Sequence, residues 1–297
     1  MRQFREGRLP GGTLDMVDRK RPNAHPDAWP EIDTSMAHAA RVYDVYLGGD
    51  ANFAVDRAAA EHAASVHPGG MDTVRASVRS NRAFLVRAVR WLAGEAGVRQ
   101  FLDVGSGIPN GQNVHAVAQQ TAPESRIVYV DNDPTVLAHA HQVLGSRVQG
   151  TVDYVWGDLH APTAILDHAA ATLDFTQPVA VLLIGILHFF ADTDDPYQIV
   201  AHLMEAAPSG SYLAVCHLAA DIHPDEMIEV ARRLNETTAE SWALRSRNEV
   251  AQFLDGLKLV EPGVVQVDEW RPDDEPGPVL PPKGRTNPLW VGVGRKS

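Results

Sequence analysis

Hydrophobic positions change their period along the chain. Between residues 71 and 94, MDTVRASVRSNRAFLVRAVRWLAG sets Val74, Val78, Leu85, Ala88 and Leu92 three, four or seven apart, which predicts a long helix with one apolar stripe. Asn81 falls on that stripe, so its amide must either satisfy nearby backbone or meet a ligand. Upstream, SMAHAARVYDVYLGG predicts a helix capped by Ser35 and closed by Gly48 and Gly49, and Val55 to Ala64 predicts a second. Residues 1–30 are rich in Arg, Gly and Pro without periodicity, which predicts a flexible arm. A helical lid is expected over 31–70 and the main domain over 71–297.

Beyond Gly97 the pattern becomes a regular alternation. Strands are expected near 100–104, 126–131, 151–156, 179–184 and 211–217, with helices between them. Unbroken apolar runs such as VAVLLIGIL predict an α/β fold whose mostly parallel sheet is covered on both faces. HPDEMIEVARRLNETTAESW and SRNEVAQFLDG predict two further helices. LKLVEPGVVQV and LWVGVGRK, with no helix between them, predict an antiparallel hairpin at one edge. In such a sheet, ligands bind beyond the carboxyl ends of the strands.

Charge narrows the partners. With 26 basic and 38 acidic residues the formal charge is −12, which disfavours nucleic acid and anionic membrane surfaces and leaves a small molecule as the expected partner. The single cysteine, Cys216 in YLAVCHL, cannot form a disulfide within the chain and reads as a buried, inert thiol suited to a reducing cytoplasm. No run approaches the roughly 18 apolar residues of a membrane span, and MRQFREGRLPGG lacks the apolar centre of a signal peptide. No His, Cys, Asp and Glu spacing resembles a metal site. Oligomeric state has no signature here.

The candidate chemistry starts at FLDVGSGIPNGQNVH. Gly105 and Gly107 follow a strand as in a dinucleotide loop, but Asn110 stands where the third glycine belongs. Asp103 would repel a pyrophosphate there and favour a ligand carrying an ammonium and a sulfonium, the groups of S-adenosylmethionine. Its plainer role would be to hold the loop amides. Asp131, closing VYVD with Asn132 beside it, suits a ribose diol. Asp133 and Pro134 read as the start of the next helix. Asp158 in WGDL either accepts the adenine amino hydrogen or caps the following helix.

FLDVGSGIP, VYVDNDP, WGDL and LLIGILHFF resemble the successive motifs of class I S-adenosylmethionine-dependent methyltransferases. From about Ile32 onward the chain resembles an actinobacterial family of S-adenosyl methyltransferases once classed as a domain of unknown function, through ARVYDVYLGGDANFAVDR and SNRAFLVRAVRWL. The resemblance implies a Rossmann-like, seven-stranded sheet with an antiparallel C-terminal edge and an N-terminal helical lid. It also implies Asp103, Gly105 and Gly107 around the methionine part, Asp131 on the ribose, and Asp158 with Leu159 at the adenine. The family's usual Gly-Gly-Lys-Asp-Asn-Phe run reads Gly48-Gly49-Asp50-Ala51-Asn52-Phe53 here, which leaves Asp50 and Asn52 without a transferable role.

Methyl transfer to a small-molecule acceptor is the function expected. His188 in GILHFF stands beyond the fourth strand as a candidate general base or a structural residue. His217, Tyr43, Tyr46, Phe53 and Arg41 are candidates for the acceptor site, and Arg82 for the methionyl carboxylate or a surface ion pair. Two alternatives stay open: a regulator that binds S-adenosylmethionine or S-adenosylhomocysteine without catalysis, and an NAD(P)-dependent oxidoreductase.

Overall fold

The computed structural model describes residues 31–144, 150–273 and 285–297. The arm expected over 1–30 lies outside the described residues. Three helices come first: α1 (Ala39–Leu47), α2 (Ala54–Ala64) and α3 (Met71–Gly94). The alternating region follows as β1 (Gln100–Val104), α4 (Val114–Thr121), β2 (Arg126–Asp131), α5 (Pro134–Leu144), β3 (Thr151–Trp156) and α6 (Pro162–Ala169). It continues through β4 (Ala180–Ile184), a 3-10 turn at Leu187–Phe189, α7 (Pro196–Ala206) and β5 (Tyr212–Leu218). Then come α8 (Pro224–Thr237), α9 (Arg247–Gln252), β6 (Lys258–Leu259), β7 (Val265–Gln266) and β8 (Leu289–Arg295).

The strands form one sheet in the order β3-β2-β1-β4-β5-β8-β6, with β7 also paired to β8. Strands β1 to β5 are parallel, and β8 runs antiparallel between β5 and the short pair. The eight strands exceed the expected seven because LKLVEPGVVQV breaks into β6 and β7: Pro262 has no amide to donate, and Gly263 turns with φ +86°.

Alternation along each strand separates two cores. Phe101, Ile127, Leu182 and Ala214 face Phe84, Val89 and Leu92 of α3, while Leu102, Val128, Val181 and Leu213 face Ile165, Leu203 and Phe253. Both faces are therefore dry, which explains the unbroken apolar runs. Trp270 is fully buried, edge-on to Phe84 at 5.4 Å and to Trp91 at 6.2 Å. No helix among the described residues is long and apolar enough to cross a membrane.

Two helix ends depart from expectation. Ser35 does not cap α1: it sits in a turn with Asp33, and the helix starts where Glu240 accepts from the Ala39 amide at 3.1 Å and Asp56 accepts from His38 N at 3.0 Å. Carboxylates distant in sequence thus displace the local cap. The helix expected through Trp242 stops at Thr237, because the Thr238 hydroxyl donates back to the Leu234 carbonyl at 2.9 Å. That stop releases Trp242 to reach the strand ends. Replacing Trp270 with alanine removes the central filler of the α3 core, and urea unfolding should show a loss of about 3–5 kcal/mol.

Candidate active site

The parallel order reverses between β1 and β4, and at that switch point the chain leaves the carboxyl ends of the two strands in opposite directions. A cavity of about 480 Å³ opens there, roofed by α1, walled by α3 and α8, and floored by the loops after β1, β2, β3 and β4. Gly105 (φ +73°) and Gly185 (φ +81°) shape the floor. A side chain at Gly105 would collide with Ile186 at 2.7 Å, and one at Gly185 would press Asn81 at 3.3 Å.

One end of the cavity gathers polar atoms that the protein leaves unpaired. Asp103 is buried at the end of β1 and makes no hydrogen bond to a described residue; burial pushes its carboxyl up to about 7, against the opposing charge of Arg82. Asn81 donates to the Tyr43 hydroxyl at 2.8 Å but its Oδ1 is buried and unpartnered. Arg82 holds the loop through Asn110 Oδ1 at 2.9 Å and the Gln112 carbonyl at 2.7 Å, yet its Nε is also buried without a partner, as is Ser106 Oγ. Two acceptors and two donors therefore converge on one small volume. They suit a zwitterion, an ammonium beside a carboxylate, and Asn81 does not satisfy backbone as its plainer expectation had it.

Asp131 performs the loop-holding task considered for Asp103. Its carboxylate accepts from Gly107 N at 2.8 Å and Asp133 N at 3.0 Å. Burial raises its pKa to about 6, and those backbone bonds oppose the rise. An ionised carboxylate has roughly four acceptor positions, so two remain for hydroxyl donors from the cavity. Asp133 opens α5 through the Thr135 amide, as expected. Asp158 accepts from the His160 amide at 2.9 Å and its Nδ1 at 2.7 Å, and it forms a rim with Asn132, Leu159 and Phe190, whose ring lies 4.4 Å from His160.

The other end is apolar and aromatic. Tyr43 and Tyr46 line it together with Val78, Met227, Leu234 and Trp242. His188 stacks on Trp242 at 5.2 Å and its Nδ1 is buried without a partner. Burial, with His217 and Arg245 nearby, holds its pKa well below the usual histidine range, so the ring is neutral at pH 7. The remaining expected acceptor residues do not line the cavity. Arg41 is buried against Asp56 and the Asp33 and Met36 carbonyls, Phe53 lies beneath its guanidinium, and His217 accepts from Arg245 at 2.9 Å while donating to the Leu218 carbonyl. Arg245 also donates to the Leu187 and Phe190 carbonyls, so this buried pair braces the turn that carries His188.

Sequence reasoning did not single out His38, Glu240 or Trp242. His38 reaches Asp133 and Glu240, each at 3.0 Å; burial disfavours its charge, but these two carboxylates outweigh that and raise its pKa to about 10. No local pattern marks Trp242, which arrives from a loop after α8.

The S-adenosyl methyltransferase family model matches residues 25–297. A DUF574 family protein of Streptomyces avermitilis is 41% identical, with a TM-score of 0.82 over 90% of this chain and 100% of its own. A Thermobifida fusca protein provisionally classed as a methyltransferase is 39% identical, with a TM-score of 0.80 over 90% of this chain and 98% of its own. An O-methyltransferase family protein of Burkholderia thailandensis shares the fold at 16% identity, with a TM-score of 0.50 over 75% of this chain and 60% of its own. No curated protein matches the sequence.

The buried Asp103 carboxyl has a measurable cost. Burial raises its pKa to about 7 from the unperturbed 3.8, so the folded state holds the proton more tightly and this group's contribution to stability falls as pH rises from about 4 to 7, then levels off. Asp103→Asn removes that slope. Urea unfolding should show the variant gaining a few kcal/mol on the wild type between pH 4 and 8.

Proposed function

Because the chain belongs to the S-adenosyl methyltransferase family, we propose that it transfers the methyl group of S-adenosylmethionine to a small, largely apolar acceptor. The observation that carries this reading is the set of unpaired atoms at the β1 end. Asp103 and Asn81 Oδ1 suit the ammonium of the methionine part, and Arg82 Nε with Ser106 Oγ suit its carboxylate. Asp131 would hold the ribose hydroxyls, and Asp158 and Leu159 the adenine, under the roof of His38. A pyrophosphate would meet Asp103 at close range, which argues against a nicotinamide dinucleotide.

When bound, S-adenosylmethionine supplies a methyl group already activated by a positive sulfonium. The chain's contribution is therefore mainly to orient and enclose. Tyr43, Gly185 and Ile186 line the cavity, and Tyr43 and Gly185 lie beside Asn81, so an acceptor packed against them would face the ligand end. Trp242 and Phe189 offer flat surfaces for an aromatic acceptor. Neutral His188 can take a hydrogen bond from an acceptor hydroxyl and, after transfer, its proton. Residues 31–70 act as the lid in this reading, with residues 71–297 as the transferase domain.

Calorimetry with S-adenosylhomocysteine tests the cofactor assignment. We expect micromolar binding, weakened at least ~10-fold by Asp131→Ala, which removes two loop bonds and the hydroxyl acceptor. Only the ionised Asp103 attracts an ammonium, so wild-type affinity should fall as pH drops from 8 to 6 through its pKa of about 7. Asp103→Asn should bind weakly with a flat profile down to the titration of Asp131 near 6. Tight NADH binding, or no binding by folded protein, would refute the reading. Methyl-label transfer to a panel of phenols then separates an enzyme from a binding regulator.

A further inference from the structure

The cavity lining carries a second polar device on a different element from Asp103. His67, in the loop after α2, lines the cavity beside Ala63, Met227 and Val230, and its side chain is 8% exposed. Its Nδ1 contacts Glu226 of α8. Glu226 is held in turn by Arg285, whose guanidinium donates to both carboxylate oxygens at 2.6 Å. His67 Nε2 makes no hydrogen bond to any described residue.

The protonation state follows from the surroundings. Burial lowers the His67 pKa, Glu226 opposes that, and Arg285 and His223 add to the lowering. Burial raises the Glu226 pKa, but its bonds to Arg285 and His67 outweigh this and keep it ionised. An ionised carboxylate can only accept, so the hydrogen of the neutral ring is on Nδ1 and points to Glu226. The Nε2 lone pair is left as a fixed acceptor beside the apolar Ala63, Met227 and Val230 of the lining.

We propose that His67 Nε2 recognises the far end of the methyl acceptor by accepting a hydrogen bond from a hydroxyl or N–H group. This rests on the methyl-transfer reading and deepens it: the acceptor is an elongated apolar molecule with a nucleophile at the His188 end and a hydrogen-bond donor at the other. Glu226 and Arg285 are positioning residues that fix the tautomer and direction of His67. A site built on one fixed acceptor disfavours analogues that lack the donor, because a bound analogue would cover the lone pair without pairing it.

Two matched probe pairs test this on wild-type protein saturated with S-adenosylhomocysteine: para-phenylphenol against its symmetrical biphenyl diol, and a naphthol against its dihydroxynaphthalene. In calorimetry, the diol of at least one pair should bind about fivefold tighter or more. That exceeds the factor of about two that equivalent ends give statistically. In His67→Phe the preference should fall to that statistical level, and S-adenosylhomocysteine binding reports that the variant has folded. Nitrogen-15 spectra of wild-type histidines give an independent readout: a pyridine-type Nε2 signal of His67 should move with the diol and stay still with the mono-phenol. Equal affinity within each pair, no binding of either pair, a preference that survives His67→Phe, or an unmoved Nε2 signal overturns the proposal. Failure of S-adenosylhomocysteine to bind wild-type protein would instead defeat the methyl-transfer reading, and this inference with it.

Discussion

Five charged groups from four separate segments meet where the helical cap touches the sheet, and the cavity exists because they do. His38 and Arg41 come from the start of α1, Asp56 from α2, Asp133 from the turn before α5, and Glu240 from the loop after α8. His38 lies 3.0 Å from both Asp133 and Glu240, and Arg41 lies 3.4 Å from Asp56 and 3.7 Å from Asp133. Burying such groups is costly, and their attraction offsets the cost only when the set is complete; removing one partner from a buried pair costs about 3–5 kcal/mol. The cluster therefore works as a joint that is either closed or absent. Closed, it fixes α1 as a roof over the ends of β1 and β2. It also explains why Arg41 does not face the cavity: both of its nearby carboxylates lie on the structural side of the roof.

The strand ends were legible because a parallel sheet buried on both faces leaves polar residues little room except at its edges and ends. Asp103, Asp131 and Asp158 stand out within apolar runs for that reason, and the five parallel strands were found within a residue of their bounds. The aromatic chamber was not legible. Its walls come from α1, α2, α8, the turn after β4 and the loop carrying Trp242, and no local spacing records such a meeting. Ser35 illustrates the same limit on a small scale: it has the chemistry of a cap, but Asp56 of α2 takes the His38 amide that a cap at Ser35 would have bonded, and the helix starts at Ala39.

The aspartates divide their tasks differently from the way their positions alone imply. A loop aspartate that holds backbone amides and one that meets a ligand look alike in a sequence, and both roles were open for Asp103. The hydrogen bonds separate them. Asp131 spends part of its capacity on Gly107 and Asp133, so it is rigid before any ligand arrives, whereas Asp103 has no such partner and sits in a dry environment that favours its protonated form. An unpaired carboxyl kept there costs stability, which in the proposed reading leaves it ready for a cation. Unpaired atoms of both kinds beside it, Asn81 Oδ1 and Arg82 Nε, make the same trade.

Four histidines complete the electrostatic division. His38, between two carboxylates, is a cation at the joint beneath α1, while His188, His217 and His67 are held neutral by burial and nearby positive groups. Of these, His188 and His67 line the aromatic part of the cavity, where they offer hydrogen-bond acceptors without charge. In a low-dielectric space an ionised acceptor would lose its hydration with nothing opposite to replace it, so on the proposed reading the acceptor is neutral. That neutrality agrees with the chemistry proposed: a neutral nucleophile meets a positive sulfonium without first having to be stripped of a counter-ion. In that reading, the proton it gives up would pass to His188, a neutral ring on the same lining.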